Sequence, residues 1–241
     1  MTCGCFFDNV TDLQLYKKSK HMDNSKWPAR TVLPVAQPGL IFIIITILFT
    51  GMLFYFGWSL PAWFFVAVTL FVCWFFRDPH RDIPQDEKSL ISPADGKVIV
   101  IEELERCEYL PEPCIKVSVF MNVFNVHVNR VPFNGIVQKV LYNPGKFMNA
   151  SFDKASIHNE RNALIIKTDR GANYVVVQIA GLIARRIVNC VKEGEKIQKG
   201  DRYGMIRFGS RLDLYLPHDF DVAVKLGEKT EAGSTIIGHM K

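Results

Sequence analysis

The chain has 241 residues, 49% of them hydrophobic and 22% charged, with a formal net charge of +5 at pH 7. That length is one domain or one domain with an appendage, and the apolar content is ample for a core. A charge this modest, with no basic stripe, gives no sign of a nucleic-acid partner. The six cysteines agree with a reducing compartment: Cys73 lies in an apolar run, and Cys3, Cys5, Cys107, Cys114 and Cys190 show no paired spacing that would hold zinc, so no metal site is expected.

Residues 1–39 form a polar tail that carries Lys17, Lys18, Lys20, Lys26 and Arg30. Residues 40–76 then contain no charged side chain. One straight helix of that length would run to roughly 55 Å, too long for a single crossing of a hydrocarbon core about 30 Å thick. The run must fold back, and Gly57-Trp58-Ser59-Leu60-Pro61 supplies the break, leaving spans over 40–57 and 61–76. Tyr55, Trp58 and Trp63 crowd the turn, where an interfacial aromatic belt would sit. Basic residues before the run, Arg77 and Arg81 after it, and no charge in the turn predict a membrane hairpin with both ends cytoplasmic. The run is too long for a signal-peptide core, so the anchor is expected to stay. The alternative is a buried hairpin in a soluble protein.

Residues 77–241 read as mainly β. Runs rich in valine and isoleucine predict strands over 97–101, 115–121, 125–131, 135–142, 163–168, 174–180, 205–208 and 212–216, separated by turn residues such as Asn134-Gly135 and Asp169-Arg170-Gly171. A compact β sandwich or barrel-like domain of repeated hairpins follows, preceded by the helical hairpin. The segments "VKEGEKIQKGDRYGMI" (191–206) and "VKLGEKTEAGSTII" (224–237) share a spacing that indicates an internal duplication of hairpins.

Glycine inside a strand pattern marks a bulge, a bend or a close approach of the backbone, and Gly209-Ser210 sits inside such a pattern. Gly233-Ser234 is a second pair of the same kind. Taken alone, either pair is a bulge with an outward serine. His127 is either an ordinary strand residue or an acid-base group that titrates near neutrality. Asp95, in Ser92-Pro93-Ala94-Asp95-Gly96, is a turn residue or a functional carboxylate. Arg207 and Arg211 alternate onto the face opposite Ser210, as forks for phosphate or carboxylate or as solvated strand charges. Glu160 and Arg161 receive no role.

The strings "ISPADGKVI", "VFNVHVNRVPFNG", "NPGKFMNASFDKAS", "NERNALI", "QIAGLIARRIV" and "GMIRFGSRLDLYLP", in that order, resemble the phosphatidylserine decarboxylases in their short bacterial form. The resemblance covers nearly all of 39–241. It implies a proenzyme in which the Ser210 hydroxyl attacks the Gly209 carbonyl, the resulting ester eliminates, and the new N-terminus becomes a pyruvoyl group, the cofactor. It also implies decarboxylation of phosphatidylserine to phosphatidylethanolamine, with that group as electron sink, by a large and a small chain held together as a heterodimer in the membrane. Long relatives use an aspartate, a histidine and the cleaved serine for self-cleavage, and Asp95 matches the aspartate. His127 matches the first of two histidines; Arg130 stands in the place of the second, the triad member, so His127 would serve both steps and Arg130 the substrate. Acyl and ether lipids are not distinguished, and a homo-oligomer is neither required nor excluded. The alternative class is a membrane-tethered biotinyl or lipoyl carrier with Lys154 as the attachment point, although this lysine is off-centre in the β region.

Overall fold

The computed structural model describes residues 34–145, 159–181, 187–207 and 210–241. The polar tail up to residue 33, Lys154 and Gly209 lie outside the described residues. A 3-10 turn, Gln37–Gly39, leads into α1 (Leu40–Tyr55), which returns as α2 (Ser59–Phe75). The break falls at Phe56-Gly57-Trp58, with Gly57 at φ +76°, a left-handed conformation that favours glycine. Pro61, expected to open the second span, does so to within two residues. It sits in the first turn of α2, where its missing N–H removes no helical bond.

The two helices pack through Phe49 against Phe65 (ring centroids 4.6 Å apart) and Phe54 against Trp63 (5.8 Å). Thr50 and Thr69 meet between them, Oγ1 to Oγ1 at 3.3 Å. The outer surface is apolar and bare, with Leu48, Leu60 and Leu70 all exposed. The helical stretch Gln37–Tyr55 is long and apolar enough to cross a membrane, and α2 is shorter at 17 residues. The chain entering the hairpin pairs with the chain leaving it: the Ala36 amide donates to the Phe76 carbonyl at 2.7 Å and that of Asp78 to Pro34 at 2.8 Å.

The remainder is β. In chain order the strands are β1 (Ser89–Ile91), β2 (Gly96–Leu104), β3 (Cys114–Met121), β4 (Val128–Arg130), β5 (Gly135–Asn143), β6 (Arg161–Lys167), β7 (Asn173–Ala180), β8 (Ile187–Asn189), β9 (Lys196–Ile197), β10 (Arg202–Ile206), β11 (Ser210–Pro217), β12 (Phe220–Val222), β13 (Lys229–Thr230) and β14 (Ile236–Met240). They form a curled eight-stranded sheet of order β13-β2-β3-β11-β7-β6-β5-β9 and two three-stranded sheets, β1-β14-β12 and β4-β10-β8. The main core fills the inside of the curl with Val98, Val119, Leu164, Val176, Leu212 and Leu214.

The duplication indicated by the two VKxGEK segments extends to the whole β domain. One half comprises β1, β2, β3 and β11 to β14; the other, β4 to β10, is inserted between β3 and β11. Each contributes four strands to the large sheet and one small sheet. The correspondence holds bond by bond. Gly227 donates to the Val98 carbonyl and Gly194 to Val137, each at 2.8 Å. The Ala232 amide donates to Asp95 Oδ1 and the Lys199 amide to Asn134 Oδ1, each at 2.7 Å. The β2–β3 ladder shifts register between Val98 and Val100, the β5–β6 ladder between Val137 and Lys139. Gly238 and Gly204 are equivalent too: a Cβ would lie 2.2 Å from the Asp221 carbonyl oxygen at one and 2.3 Å from that of Val188 at the other, so neither position admits a side chain.

Candidate active site

Ser210 opens β11, where Met121 of β3 and Ala180 of β7 face it across the ladders. Strand alternation turns it to the side of the sheet that Leu212 and Leu214 occupy, the inside of the curl. Its side chain is fully buried, and Oγ has no hydrogen-bond partner among the described residues. A buried hydroxyl without a partner is unfavourable by about 1–3 kcal/mol, so it marks a position kept for something other than packing.

The surroundings of Ser210 are unusually polar for a barrel interior. Asn162 donates to Gln178 Oε1 (3.2 Å), and Gln178 donates to Asn129 Oδ1 (2.9 Å), all three side chains being buried. Asn129 reaches Met121 Sδ at 3.8 Å, directly opposite Ser210. The Gln178 amide lies over the bare Cα of Gly204, 3.0 Å from where a Cβ would be. Asn159 donates to the carbonyl of Ala180, the other neighbour of Ser210, at 2.7 Å. The network thus ties β4 to the strands beside Ser210 and brings His127, two residues before Asn129, to the same end of the barrel.

His127 is completely buried. Nδ1 lies 2.9 Å from the Asn125 carbonyl, which can only accept, so Nδ1 carries the proton and Nε2 keeps its lone pair. Nε2 has no partner among the described residues. Burial, with a smaller push from the Arg77 cation, lowers the imidazole pKa to about 4, so the ring is neutral at physiological pH. Phe75, the last residue of α2, covers it at a ring-centroid distance of 4.3 Å. The helical hairpin therefore forms one wall around this histidine.

Asp95 is held beside the same segment. Arg81 pairs with it at 2.8 Å and the Ala232 amide donates to it, while the Val126 amide lies near enough to favour its charged form. Desolvation nevertheless raises its pKa above the usual carboxylate value, against the pull of those amides and of Arg81. Asp95, His127 and Ser210 are thus gathered at one end of the domain, by three different elements. Gly209 is outside the described residues.

Three other residues resolve differently from their sequence readings. Arg211 is neither a solvated charge nor a free fork: it is fully buried, Nε donates to Asp213 at 2.6 Å and a terminal nitrogen to Ser118 Oγ at 2.9 Å. The Arg130 guanidinium donates to Asp78 (3.3 Å) and to the carbonyls of Pro79 (3.1 Å) and Gly200 (3.1 Å), and burial lowers its pKa to about 10. It clamps the chain leaving the hairpin to the β domain. Gly233 is a left-handed turn glycine at φ +89° whose amide donates to Ser92, matching Gly200 in the other half, so Gly233-Ser234 has a structural explanation. Sequence reasoning missed Asp78, buried between Arg130 and Arg202. It also missed the Asn129–Gln178–Asn162 network. Asparagine and glutamine on strands predicted to be apolar were the available signal.

A barrel end that buries both an uncommitted serine hydroxyl and a neutral, uncommitted imidazole is the setting of an acyl-transfer or self-processing enzyme. Comparison with known proteins agrees. A family model described as phosphatidylserine decarboxylase matches residues 68–238. Similar proteins include the phosphatidylserine decarboxylase proenzymes of Syntrophus aciditrophicus, 51% identical over 85% of this chain and 96% of that one, and of Geotalea uraniireducens, 50% identical over the same shares. That of Ralstonia pickettii is 46% identical over 90% of this chain and 99% of its own. The chain belongs to the phosphatidylserine decarboxylase family.

Proposed function

We propose that this protein is a membrane-anchored proenzyme that cuts itself between Gly209 and Ser210 and then converts phosphatidylserine to phosphatidylethanolamine. The single observation that carries the reading is the buried pair of uncommitted groups, Ser210 Oγ and His127 Nε2, at the end of the barrel that the hairpin touches. His127 Nε2 accepts the Ser210 proton as Oγ attacks the Gly209 carbonyl, and Asp95 sets the charge beside that segment. The Gly209–Ser210 C–N bond breaks as that proton passes to the amide nitrogen, and β-elimination of the resulting ester frees residues 1–209 with a C-terminal carboxylate. Water then hydrolyses the dehydroalanine left at 210 with release of ammonia, so that a large chain, 1–209, and a small chain, 210–241, remain. They stay together because β11 is hydrogen-bonded to β3 of the large chain along its whole length and to β7 from Ser210 to Tyr215.

The site fits a pyruvoyl group formed from Ser210: the hydroxyl is buried, unpartnered and bordered by amide side chains. Such a group withdraws electrons as carbon dioxide leaves the substrate. In both steps His127 Nε2 takes up a proton and returns it, and the Phe75 ring excludes water from it. The hairpin lies in the membrane with both of its ends cytoplasmic, which keeps the domain at the surface where its lipid resides. Arg130 holds the connector to the domain and is not a substrate ligand in this reading.

The test is the intact mass of the purified protein. Two chains, 1–209 and 210–241, are expected, the shorter blocked at its N-terminus. A single uncut chain in active material, or a cut at Gly233-Ser234, would overturn the proposal. Cysteine-accessibility labelling near Lys241 tests orientation, and labelling from outside intact cells would contradict it.

A further inference from the structure

Between β3 and β4 the chain makes a short loop, Asn122-Val123-Phe124-Asn125, that leads directly to His127. It is tightly braced. The Asn122 amide donates to Asn125 Oδ1 at 2.9 Å, the Phe124 amide to Asn122 Oδ1 at 2.9 Å, and the Asn125 amide to the Asn122 carbonyl at 3.2 Å. The bracing holds Phe124 outward, 66% exposed. Outside the hairpin, it is the one aromatic among the described residues with that degree of exposure. A side chain held out by a rigid loop is not a residue that failed to find the core.

The position of Phe124 identifies its partner. The Arg77 guanidinium stands 4.2 Å over the Trp74 ring of α2 and donates to the Phe124 carbonyl at 2.6 Å. Exposed Trp74 and exposed Phe124 therefore flank a single cation, and the apolar surface of the hairpin continues across it onto the loop. Aromatic rings beside an arginine are the side chains that occupy the headgroup level of a bilayer. We infer that the Asn122–Asn125 loop is a second membrane contact, in which Phe124 enters the boundary between headgroups and acyl chains of the bilayer that holds the hairpin. This inference rests on the hairpin's lying in the membrane. Because the Asn125 carbonyl also holds His127 Nδ1, the contact fixes the height of the imidazole relative to the lipid surface.

The experiment uses the full-length protein in vesicles of phosphatidylethanolamine and phosphatidylglycerol, with a photo-crosslinking residue at one of three positions. Phe124→p-benzoylphenylalanine tests the loop. Leu48→p-benzoylphenylalanine, on the exposed face of α1, reports the hairpin. Glu112→p-benzoylphenylalanine serves as the remote control: it is exposed, just before β3, whereas Phe124 follows the far end of that strand, roughly 25 Å away at the rise of an extended chain. After illumination, mass spectrometry should find lipid adducts at 124 and at 48, with a yield at 124 at least several-fold above that at 112. Lipid at 48 without lipid at 124 overturns the loop contact alone. An adduct at 124 to a second copy of the chain overturns it in favour of a protein interface, and equal lipid yields at 124 and 112 overturn it too. Absence of lipid at 48 overturns the membrane hairpin and the inference built on it.

Discussion

The two halves of the β domain share a backbone but not a chemistry. Asp95 in one corresponds to Asn134 in the other, and both accept an amide hydrogen bond of 2.7 Å from the equivalent residue. Ser210, facing Met121 across the ladder, corresponds to Ala172, which faces Thr168 at the matching position, so Gly209-Ser210 is matched by Gly171-Ala172. The buried histidine, one residue before β4, corresponds to exposed Lys88, one residue before β1. The fold alone therefore demands a turn-capping oxygen at the first of these places. It does not demand an ionisable carboxylate, a hydroxyl or an imidazole, and these occur together only at the end that the hairpin covers.

Making the first half like the second should remove function without removing structure. The largest effect is expected from Ser210→Ala, which copies Ala172: cleavage on a gel and carbon dioxide release should both vanish, and added pyridoxal phosphate should restore neither. Asp95→Asn copies Asn134 and keeps an oxygen for the Ala232 amide. Its melting temperature should stay close to that of the parent while processing slows by about 10²- to 10⁴-fold, the usual range for loss of an acid-base group. A collapse in stability instead would show that the carboxylate is structural.

The halves also differ on the outer face of the sheet, where the fully buried Arg211–Asp213 pair corresponds to exposed Asn173 and buried Val175. Asp213→Ala takes the carboxylate away from a buried cation and should lose about 3–5 kcal/mol by denaturant unfolding of the uncleaved Ser210→Ala protein. Arg211→Met combined with Asp213→Leu should recover most of it, since an apolar pair suits this site as it suits Val175.

A somewhat smaller effect belongs to His127. The unfolded imidazole takes up a proton near pH 6.5, whereas the folded one resists protonation down to about 4. As the pH falls through that interval the unfolded chain binds the proton first, so stability declines, by on the order of 3 kcal/mol at the lower limit. The raised pKa of Asp95 acts in the opposite sense, so the decline is read as the difference between parent and His127→Gln in unfolding at each pH. The smallest effect is expected from the reverse exchange at the other pole. Asn134→Asp should alter stability by no more than about 1 kcal/mol and leave processing unchanged. Ala172→Ser should produce no fragment ending at residue 171.

Much of the architecture could be read from the chain because valine and isoleucine alternate against turn residues. Strands predicted over 115–121, 135–142, 163–168 and 174–180 lie within a residue or two of β3, β5, β6 and β7. The expected strand 125–131 contracts to Val128–Arg130, because Asn125 is part of the braced loop and His127 turns its ring to the Asn125 carbonyl. Short β1, β12 and β14 escaped notice, since three to five residues that close a small sheet carry too little alternation to stand out. The repeated VKxGEK spacing disclosed two hairpins, but the insertion of one half within the other separates equivalent residues along the chain and hid the rest. Family-like motifs pointed to Asp95, His127 and Ser210. The burial of Arg211 could not be read, because alternation tells which face a charge takes and not whether that face is covered.

The ring of Phe75 over His127 has a practical consequence for anyone preparing this protein. Cutting the gene just before Arg77 is the obvious route to a detergent-free fragment. Such a fragment would lose the aromatic lid together with Ala36 and Phe76, and water would reach an imidazole that the native chain keeps dry. Its pKa would climb back toward 6.5, and a pH–rate profile recorded on the trimmed material would describe an artefact of the preparation. The hairpin is masonry of the reaction chamber.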